Sequence, residues 1–243
     1  MKKIKYIVSD EILFENKEYL PQPLKNHTPD WYKNIRAVSL PDTMFKDWDK
    51  RVMNIKSCPS FIEIYKEGYV LVAPCDIRIS YDAVDDVWTW RTPIVLFNTE
   101  LHNKPDTITL HSKEQMTEFL PSTAKTRLVI KLNLPIYAQV PLGYNIRVLP
   151  VPFAYNNDFV ASPGILEPIK QPQINILLEY ISQKDEILIK QGTPLAVHVP
   201  YKKEKFKLQH ELYNPKKHRS IRYKTHFKNQ GRFHSSYLRN HKE

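Results

Sequence analysis

The sequence predicts a mainly β protein with short helices near its N-terminus and a basic C-terminal arm. The first reason is a series of short runs rich in β-branched and aromatic residues, separated by turn residues. The second is the spacing of these runs, which at about 8–12 residues is typical of an all-β sandwich or barrel. The third is the length of 243 residues, which indicates one large domain or one domain with additions.

The first 68 residues are expected to form a mixed region packed on the β core. A strand is predicted at Lys3–Val8 and a short helix near Pro29, whose missing N–H is harmless at the start of a helix. A second helix is predicted at Ser60–Glu67, ending at Gly68, since glycine readily adopts the left-handed conformation that closes helices.

Residues 69–201 are predicted to form the β domain. One helix interrupts it, because Ser112 and Gln115 form a capping-box pattern and Pro121 stops the helix. The predicted strands are Tyr69–Ala73, Asp76–Ser80, Val87–Arg91, Ile94–Asn98, Arg127–Leu132, Ile136–Val140, Asn145–Val151, Gln173–Ile181, Glu186–Lys190 and Leu195–Pro200.

The positive charge of the chain lies in its last 42 residues, the C-terminal arm of residues 202–243. The chain carries 36 Lys+Arg and 26 Asp+Glu, a net charge of +10. The arm holds thirteen Lys/Arg and three Asp/Glu, so it accounts for the whole excess and the preceding residues are neutral overall.

Basic and aromatic residues alternate along this arm. That composition suits nucleic acid, because cations meet phosphates and rings stack on bases. It suits an acidic protein surface or a neighbouring subunit equally well, and a solvated tail is the remaining alternative. The residues expected to make such contacts are Lys216, Lys217, Arg219, Arg222, Lys224 and Arg232.

Three of the five glycines fall in short segments between strands. The segments are Pro141-Leu-Gly-Tyr144, Gly164-Ile-Leu-Glu167 and Ile189-Lys-Gln-Gly-Thr-Pro-Leu-Ala196. Pro141-Leu-Gly143 and Pro163-Gly164 suit turns in which proline presets φ and glycine takes a positive φ.

In their order, these segments resemble the dUTPase and dCTP deaminase superfamily, whose all-β fold is called a β-clip. The resemblance covers about residues 130–200 and implies a dUTPase-like core. The whole chain is also similar to an uncharacterised family of tailed phages, through the Thr28-Pro-Asp-Trp-Tyr-Lys segment, Ser57-Cys-Pro59, Gly164-Ile and Gly192-Thr-Pro-Leu.

The resemblance implies a hydrolase chemistry that this sequence retains only in part. Active relatives orient water with an acid after Gly-x-Ile and bind triphosphate with an Arg-Ser segment and a glycine-rich arm. Glu167 stands where the family has Asp, Arg147-Val-Leu-Pro replaces the Arg-Ser segment, and Lys170 replaces a tyrosine. Mg²⁺ is expected only if the protein is a nucleotide enzyme, because phosphoryl transfer requires neutralised charge.

The deaminase branch of the superfamily places its general base in a Leu-Glu-aromatic triplet, which Leu178-Glu179-Tyr180 resembles. Glu167 and Glu179 are therefore the candidate catalytic residues if the protein is an enzyme. The alternative for Glu179 is structural, because on an alternating strand it faces away from Ile176, Leu178 and Tyr180, toward solvent.

No metal site is expected. His102 and His111 with Asp106 have no recognised ligand spacing, and the acids between residues 82 and 86 are interpreted as a solvated hairpin. Cys58 and Cys75 lack the neighbours that generate a thiolate. No apolar run approaches the ~18 residues of a membrane span, so we expect no membrane contact and a location in the host cytoplasm, the virion or both.

These observations favour a non-catalytic phage β-clip protein, virion-associated or an assembly subunit. It is expected to form a homo-oligomer, preferably a trimer, and to contact other virion proteins or DNA through its arm. The alternative is a divergent nucleotide-binding protein or a dUTP/dCTP hydrolase or deaminase.

Overall fold

The chain forms two compact units in the computed structural model. The larger comprises residues 1–27 and 67–203, and the smaller residues 28–66 and 204–243. The residues that the structure describes are 2–35, 38–39, 52–53, 56, 58–82, 84–85, 87–92, 108–111 and 126–219.

Antiparallel sheets dominate the larger unit. The first sheet has the strand order β1 (Lys5–Val8), β9 (Leu128–Gln139), β13 (Gln173–Tyr180) and β11 (Phe159–Ala161), with β8 (Ile108–Leu110) also paired to β9. The second has the order β12 (Gly164–Leu166), β10 (Tyr144–Leu149), β15 (Pro194–Lys202), β5 (Tyr69–Val72) and β2 (Gln22–Pro23). The third has the order β14 (Glu186–Ile189), β6 (Ile77–Asp82) and β7 (Val87–Arg91).

Side-chain alternation builds one hydrophobic core from these sheets. On β13, Ile176, Leu178 and Tyr180 are fully buried because successive side chains of a strand point to opposite faces. They belong to the same cluster as Ile130 of β9 and Ile146 of β10. Burial of each such aliphatic side chain contributes about 1.5–3 kcal/mol, so both large sheets are held by a shared core.

Short helices flank the strands on the N-terminal side. In the larger unit, α1 (Glu11–Glu15) begins after Asp10, whose carboxylate accepts the Leu13 N–H at 2.7 Å. Two 3₁₀ helices follow, at Lys17–Tyr19 and Leu24–His27.

The smaller unit contains α2 (Asp30–Asn34), α3 (Pro59–Ile64) and a short antiparallel pair, β3 (Val38–Ser39) and β4 (Val52–Met53). Aromatic packing joins its two helical segments. The ring centroid of Tyr32 lies 6.5 Å from that of Phe61 and 5.6 Å from that of Tyr65.

The mainly β prediction is confirmed, and most strands lie where the sequence placed them. β7 has the predicted bounds, and helices occur after Pro29 and before Gly68, whose φ is +86°. The helix predicted to reach residue 67 ends at Ile64. No helix in the described ranges combines the length and apolarity needed to cross a bilayer.

One prediction was wrong at Pro135. The sequence predicted two strands, 127–132 and 136–140, but a single strand, β9, runs through this proline. The pairing with β13 shifts register between Gln173 and Asn175, opposite the proline. A bulge of this kind lets a strand continue past a residue that has no N–H to donate.

A second prediction was wrong at Pro163-Gly164. Gly164 does not have a positive φ; it begins β12 and pairs with Val148 of β10. The positive-φ turn at Gly143 is confirmed, at +79°. The strand Ile94–Asn98 and the helix after Ser112 lie outside the described residues, as do Asp86, His102 and Asp106.

Candidate functional site

Glu167, the first candidate catalytic residue, lies directly after β12 and is held by ion pairs. Its Oε2 is 2.6 Å from Lys170 Nζ, and its Oε1 accepts from Lys203 Nζ at 3.2 Å. The side-chain amide of Asn145, on β10, donates to the same Oε1 at 3.4 Å. Both carboxylate oxygens are therefore engaged by groups of the protein itself.

These contacts determine the charge state of Glu167. Hydrogen bonds from Lys170 and Lys203, together with their positive charges, lower the pKa of the carboxyl to about 2. The same pairing raises the pKa of Lys170. A general acid or base works best with a pKa near the operating pH, so this arrangement suits a structural ion cluster better than proton transfer.

Arg147 is the residue that the sequence resemblance aligns with the superfamily's Arg-Ser segment. Its guanidinium lies over the ring of Tyr201, 4.5 Å from the centroid. A cation on an aromatic face packs the side chain against the sheet, and this contact joins β10 to the neighbouring strand β15.

Glu179, the second candidate, projects from β13 on the face opposite the core, as predicted. It is half-buried, and both of its oxygens accept hydrogen bonds from hydroxyls. Ser162 Oγ donates to Oε1 and Thr126 Oγ1 donates to Oε2, each at 2.9 Å. The expected simple exposure to solvent is replaced by a Glu179–Ser162–Thr126 cluster.

Sequence reasoning missed the two hydroxyls of this cluster. Ser162 is 17 residues and Thr126 is 53 residues from Glu179 along the chain. The pairing of β11 with β13 places Val160 opposite Glu179, which brings the end of β11 to the carboxylate. A serine at a strand end was the available signal, but its partner depends on strand pairing.

A cavity of about 300 Å³, the Lys131 cavity, adjoins this cluster and the Gly164 segment. Its polar lining residues are His111, Lys131, Ser162, Gln171 and Asn175. Within the part of the chain that the structure describes, the Lys131 ammonium has no hydrogen-bond or ion-pair partner. Such a cavity can hold a small anionic molecule, with Lys131 as its counter-charge.

Three of the six predicted contact residues lie in the part of the arm that the structure describes. Lys216 and Lys217 form a turn in which both backbone N–H groups donate to Asn214 Oδ1, at 3.0 and 3.2 Å. Lys217 is also ion-paired with Glu211. Arg219 is exposed, and the other three, Arg222, Lys224 and Arg232, lie outside the described residues.

Among the residues described, no group of three or more His, Cys, Asp or Glu side chains could hold a metal ion. Asp82 instead shapes its hairpin, where its Oδ1 accepts the Val84 N–H at 2.9 Å. Burial raises the pKa of the Cys75 thiol to about 11, with a further contribution from the charge of Asp76.

The chain matches no protein-family model and no curated protein sequence. It is similar to a solved structure named "EIAV dUTPase native", with 11% identity over 87% of this chain and 98% of that chain and a TM-score of 0.35. A match at this TM-score does not establish a shared fold or function. The mainly β architecture follows from the sheets described above.

Proposed function

We propose that the protein is a non-catalytic, dUTPase-like β-clip subunit of a phage assembly, whose basic arm docks on a neighbouring subunit. The observation that carries this proposal is the state of Glu167. Its two oxygens are occupied by Lys170, Lys203 and Asn145, which leaves the family's acid position without a free carboxylate.

The turns of the motif segments support the β-clip part of the proposal. Gly143 and Gly192 have φ values of +79° and +80°, the conformation that favours glycine at tight turns. β10 and β15, which these turns introduce, pair along their length. These two glycines thus form the turns that the sheet requires. The Arg-Ser segment and the tyrosine of active relatives are missing from the matching positions of the chain.

The arm carries a pattern that favours docking on protein. Phe206, Leu208 and Leu212 are 89%, 80% and 91% exposed. Phe206 and Leu208 alternate with Lys205 and Lys207, which is the two-residue period of a half-buried strand. In such a strand Leu212 lies on the same face as Phe206 and Leu208, beyond His210. Such a segment gains most by adding to a sheet edge of a partner, where its apolar side chains become buried.

Light scattering tests the docking. We expect the wild-type chain to be an oligomer, preferably a trimer, and a variant with Phe206, Leu208 and Leu212 changed to Ser to have a lower molar mass. A matched variant with Lys205 and Lys207 changed to Gln should keep the wild-type mass. A monomeric wild type, or a mass unaffected by the serine substitutions, would contradict the proposal.

DNA is the other partner that the arm's charge suits, and a different set of variants tests it. If the arm binds DNA, changing Lys216, Lys217 and Arg219 to Gln should weaken binding and reduce the slope of log affinity against log salt by about 0.9 per lost contact. No change in that slope would exclude these residues as phosphate contacts.

Nucleotide binding is the second candidate function, favoured by the Lys131 cavity. The Lys131 ammonium supplies a positive charge for a phosphate, and the side-chain amides of Gln171 and Asn175 supply donors and acceptors for a base. A nucleotide bound to the native state must raise the melting temperature. We expect any rise with dUTP or dCTP to disappear in Lys131→Gln; no rise at millimolar ligand would rule this candidate out.

A further inference from the structure

The loop between β10 and β11 holds two aromatic residues in an unusual backbone conformation. Phe153 and Tyr155 have φ values of +54° and +49°, whereas the other positive-φ residues of the described chain are glycines. For a residue with a Cβ this left-handed conformation costs about 1–2 kcal/mol. Strained residues of this kind persist where the surrounding structure enforces them, and they cluster at ligand clamps.

This loop forms one wall of a second cavity, also about 300 Å³ in volume. Phe153 and Tyr155 line it, together with Phe159 of β11 and Leu195 of β15. The two strand residues are 6% and 2% exposed, whereas Tyr155 at the rim is 73% exposed. The cavity therefore has a buried apolar floor and an aromatic side chain at its entrance.

Among the residues that the structure describes, no charged side chain lines this aromatic cavity. Its polar groups are the Tyr155 hydroxyl and the side chain of Asn156. Asn156 Oδ1 accepts the backbone N–H groups of Asp158 at 2.8 Å and Phe159 at 3.3 Å. These bonds fix the loop to the start of β11. A charged ligand would lose its hydration here without compensation, whereas the transfer of an apolar ring from water into the cavity is favourable.

We propose that the aromatic cavity binds the uncharged aromatic ring system of a small molecule, one or two fused rings in size, against Phe153 and Tyr155. The volume is at the lower end of the range for small-molecule sites, about 300–1,000 Å³. Ring faces and edges attract in offset or edge-to-face arrangements, by about 0.5–1.5 kcal/mol beyond area burial. The proposal is independent of the arm and of the Lys131 cavity.

Indole is the probe, with cyclohexanol as an uncharged ligand that lacks a π system. We expect indole at millimolar concentration to shift the amide NMR signals of residues 150–161 and 194–195, and cyclohexanol to bind about tenfold more weakly, a difference of about 1.4 kcal/mol. Absence of these shifts with indole, or equal binding of the two ligands, would overturn the proposal.

Two substitutions of Tyr155 separate a binding role from a structural one. Tyr155→Gly removes the ring and places at this position a residue that readily adopts a positive φ, so we expect cooperative unfolding to be retained while indole binding weakens about tenfold. Tyr155→Phe keeps the ring and should keep the affinity. Indole binding that is unchanged in Tyr155→Gly would overturn the proposal.

Two further variants serve as controls on the location of the probe. Val84→Gly also replaces an exposed loop residue with glycine, at a turn 92% exposed and outside the cavity, and should leave indole binding unchanged. Ala154→Trp places a ring over the cavity and should compete with indole. If Ala154→Trp binds indole as the wild type does, the probe is bound elsewhere and the proposal fails.

Discussion

Two glycines differ strongly in their surroundings, and the difference shows where packing constrains the chain. A Cβ on Gly68, which precedes β5, would lie 2.8 Å from the carbonyl oxygen of His198 and 2.9 Å from Val197 Cγ1. A Cβ on Gly164, in the segment that resembles the superfamily, would meet no atom within 4 Å. The space around Gly164, in the segment that suggested a function, is therefore open. The strictest steric requirement lies at Gly68, outside the motif segments.

The largest predicted effect is that of Gly68→Ala. The substitution combines an unfavourable φ with overlap against backbone, so we expect a loss of about 3 kcal/mol in the free energy of unfolding. Gly164→Ala should change it by less than about 0.5 kcal/mol. Urea denaturation measures both. Similar losses for the two variants would remove the contrast between the regions.

The next effect is a dependence of stability on pH from His198, the residue whose carbonyl faces Gly68. Its side chain is fully buried, Nδ1 lies 3.4 Å from the Tyr6 hydroxyl, and burial lowers the pKa of the imidazole to about 3. His198 therefore binds its proton at a lower pH in the folded state than in the unfolded state, in which a histidine has a pKa of about 6.5. The free energy of unfolding has its full contribution from His198 above about pH 6.5 and loses it as the pH is lowered toward 3.

Thermal unfolding between pH 7.5 and 4.5 measures this dependence in a window where the lowered pKa of Glu167 has no influence. We expect a loss of a few kcal/mol in the wild type and a much flatter profile in His198→Gln. A wild-type profile that is flat over this window would show that the imidazole takes up its proton in the folded state at little cost.

A smaller effect is expected at the Glu179 cluster. Ser162→Ala or Thr126→Val removes one hydrogen bond to a half-buried carboxylate, which should cost about 1 kcal/mol in unfolding free energy. A double-mutant cycle between Ser162 and Glu179 measures their coupling. A coupling energy of zero would mean that the hydroxyl and the carboxylate do not stabilise each other.

The smallest effect is expected for Glu167→Gln. Ion pairs with exposed lysines are screened by water and salt, so the melting temperature should stay close to that of the wild type, with a difference that shrinks at high salt. The stabilisation by Glu167 is present above pH ~4.5 and is lost as the pH falls through about 2. A large loss of stability at neutral pH would contradict the open character of this segment.

The sequence predicted what local patterns control. β7 has the bounds expected from its β-branched and aromatic residues, and Gly68 and Gly143 adopt the conformations that favour glycine. Features that depend on pairing were not predictable. The continuation of β9 past Pro135 depends on a register shift against β13, and nothing in a run of non-glycine residues indicated a positive φ at Phe153.

The same division applies to the candidate site. Glu167 and Glu179 were identified from short motifs, but their partners come from distant positions: Lys203 is 36 residues from Glu167, and Thr126 is 53 residues from Glu179. The partners decide whether a carboxylate is free for chemistry or tied into the structure. A short motif can identify a candidate acid, but the residues that surround this acid depend on the fold.

The most direct test of this account is an assay of the purified chain with dUTP, dCTP and Mg²⁺ for released pyrophosphate and ammonia. If Glu167 and Glu179 are structural, we expect no turnover above that of a sample without protein. Turnover by the wild type that is abolished in Glu167→Gln or Glu179→Gln would contradict the account and make the protein a divergent nucleotide enzyme.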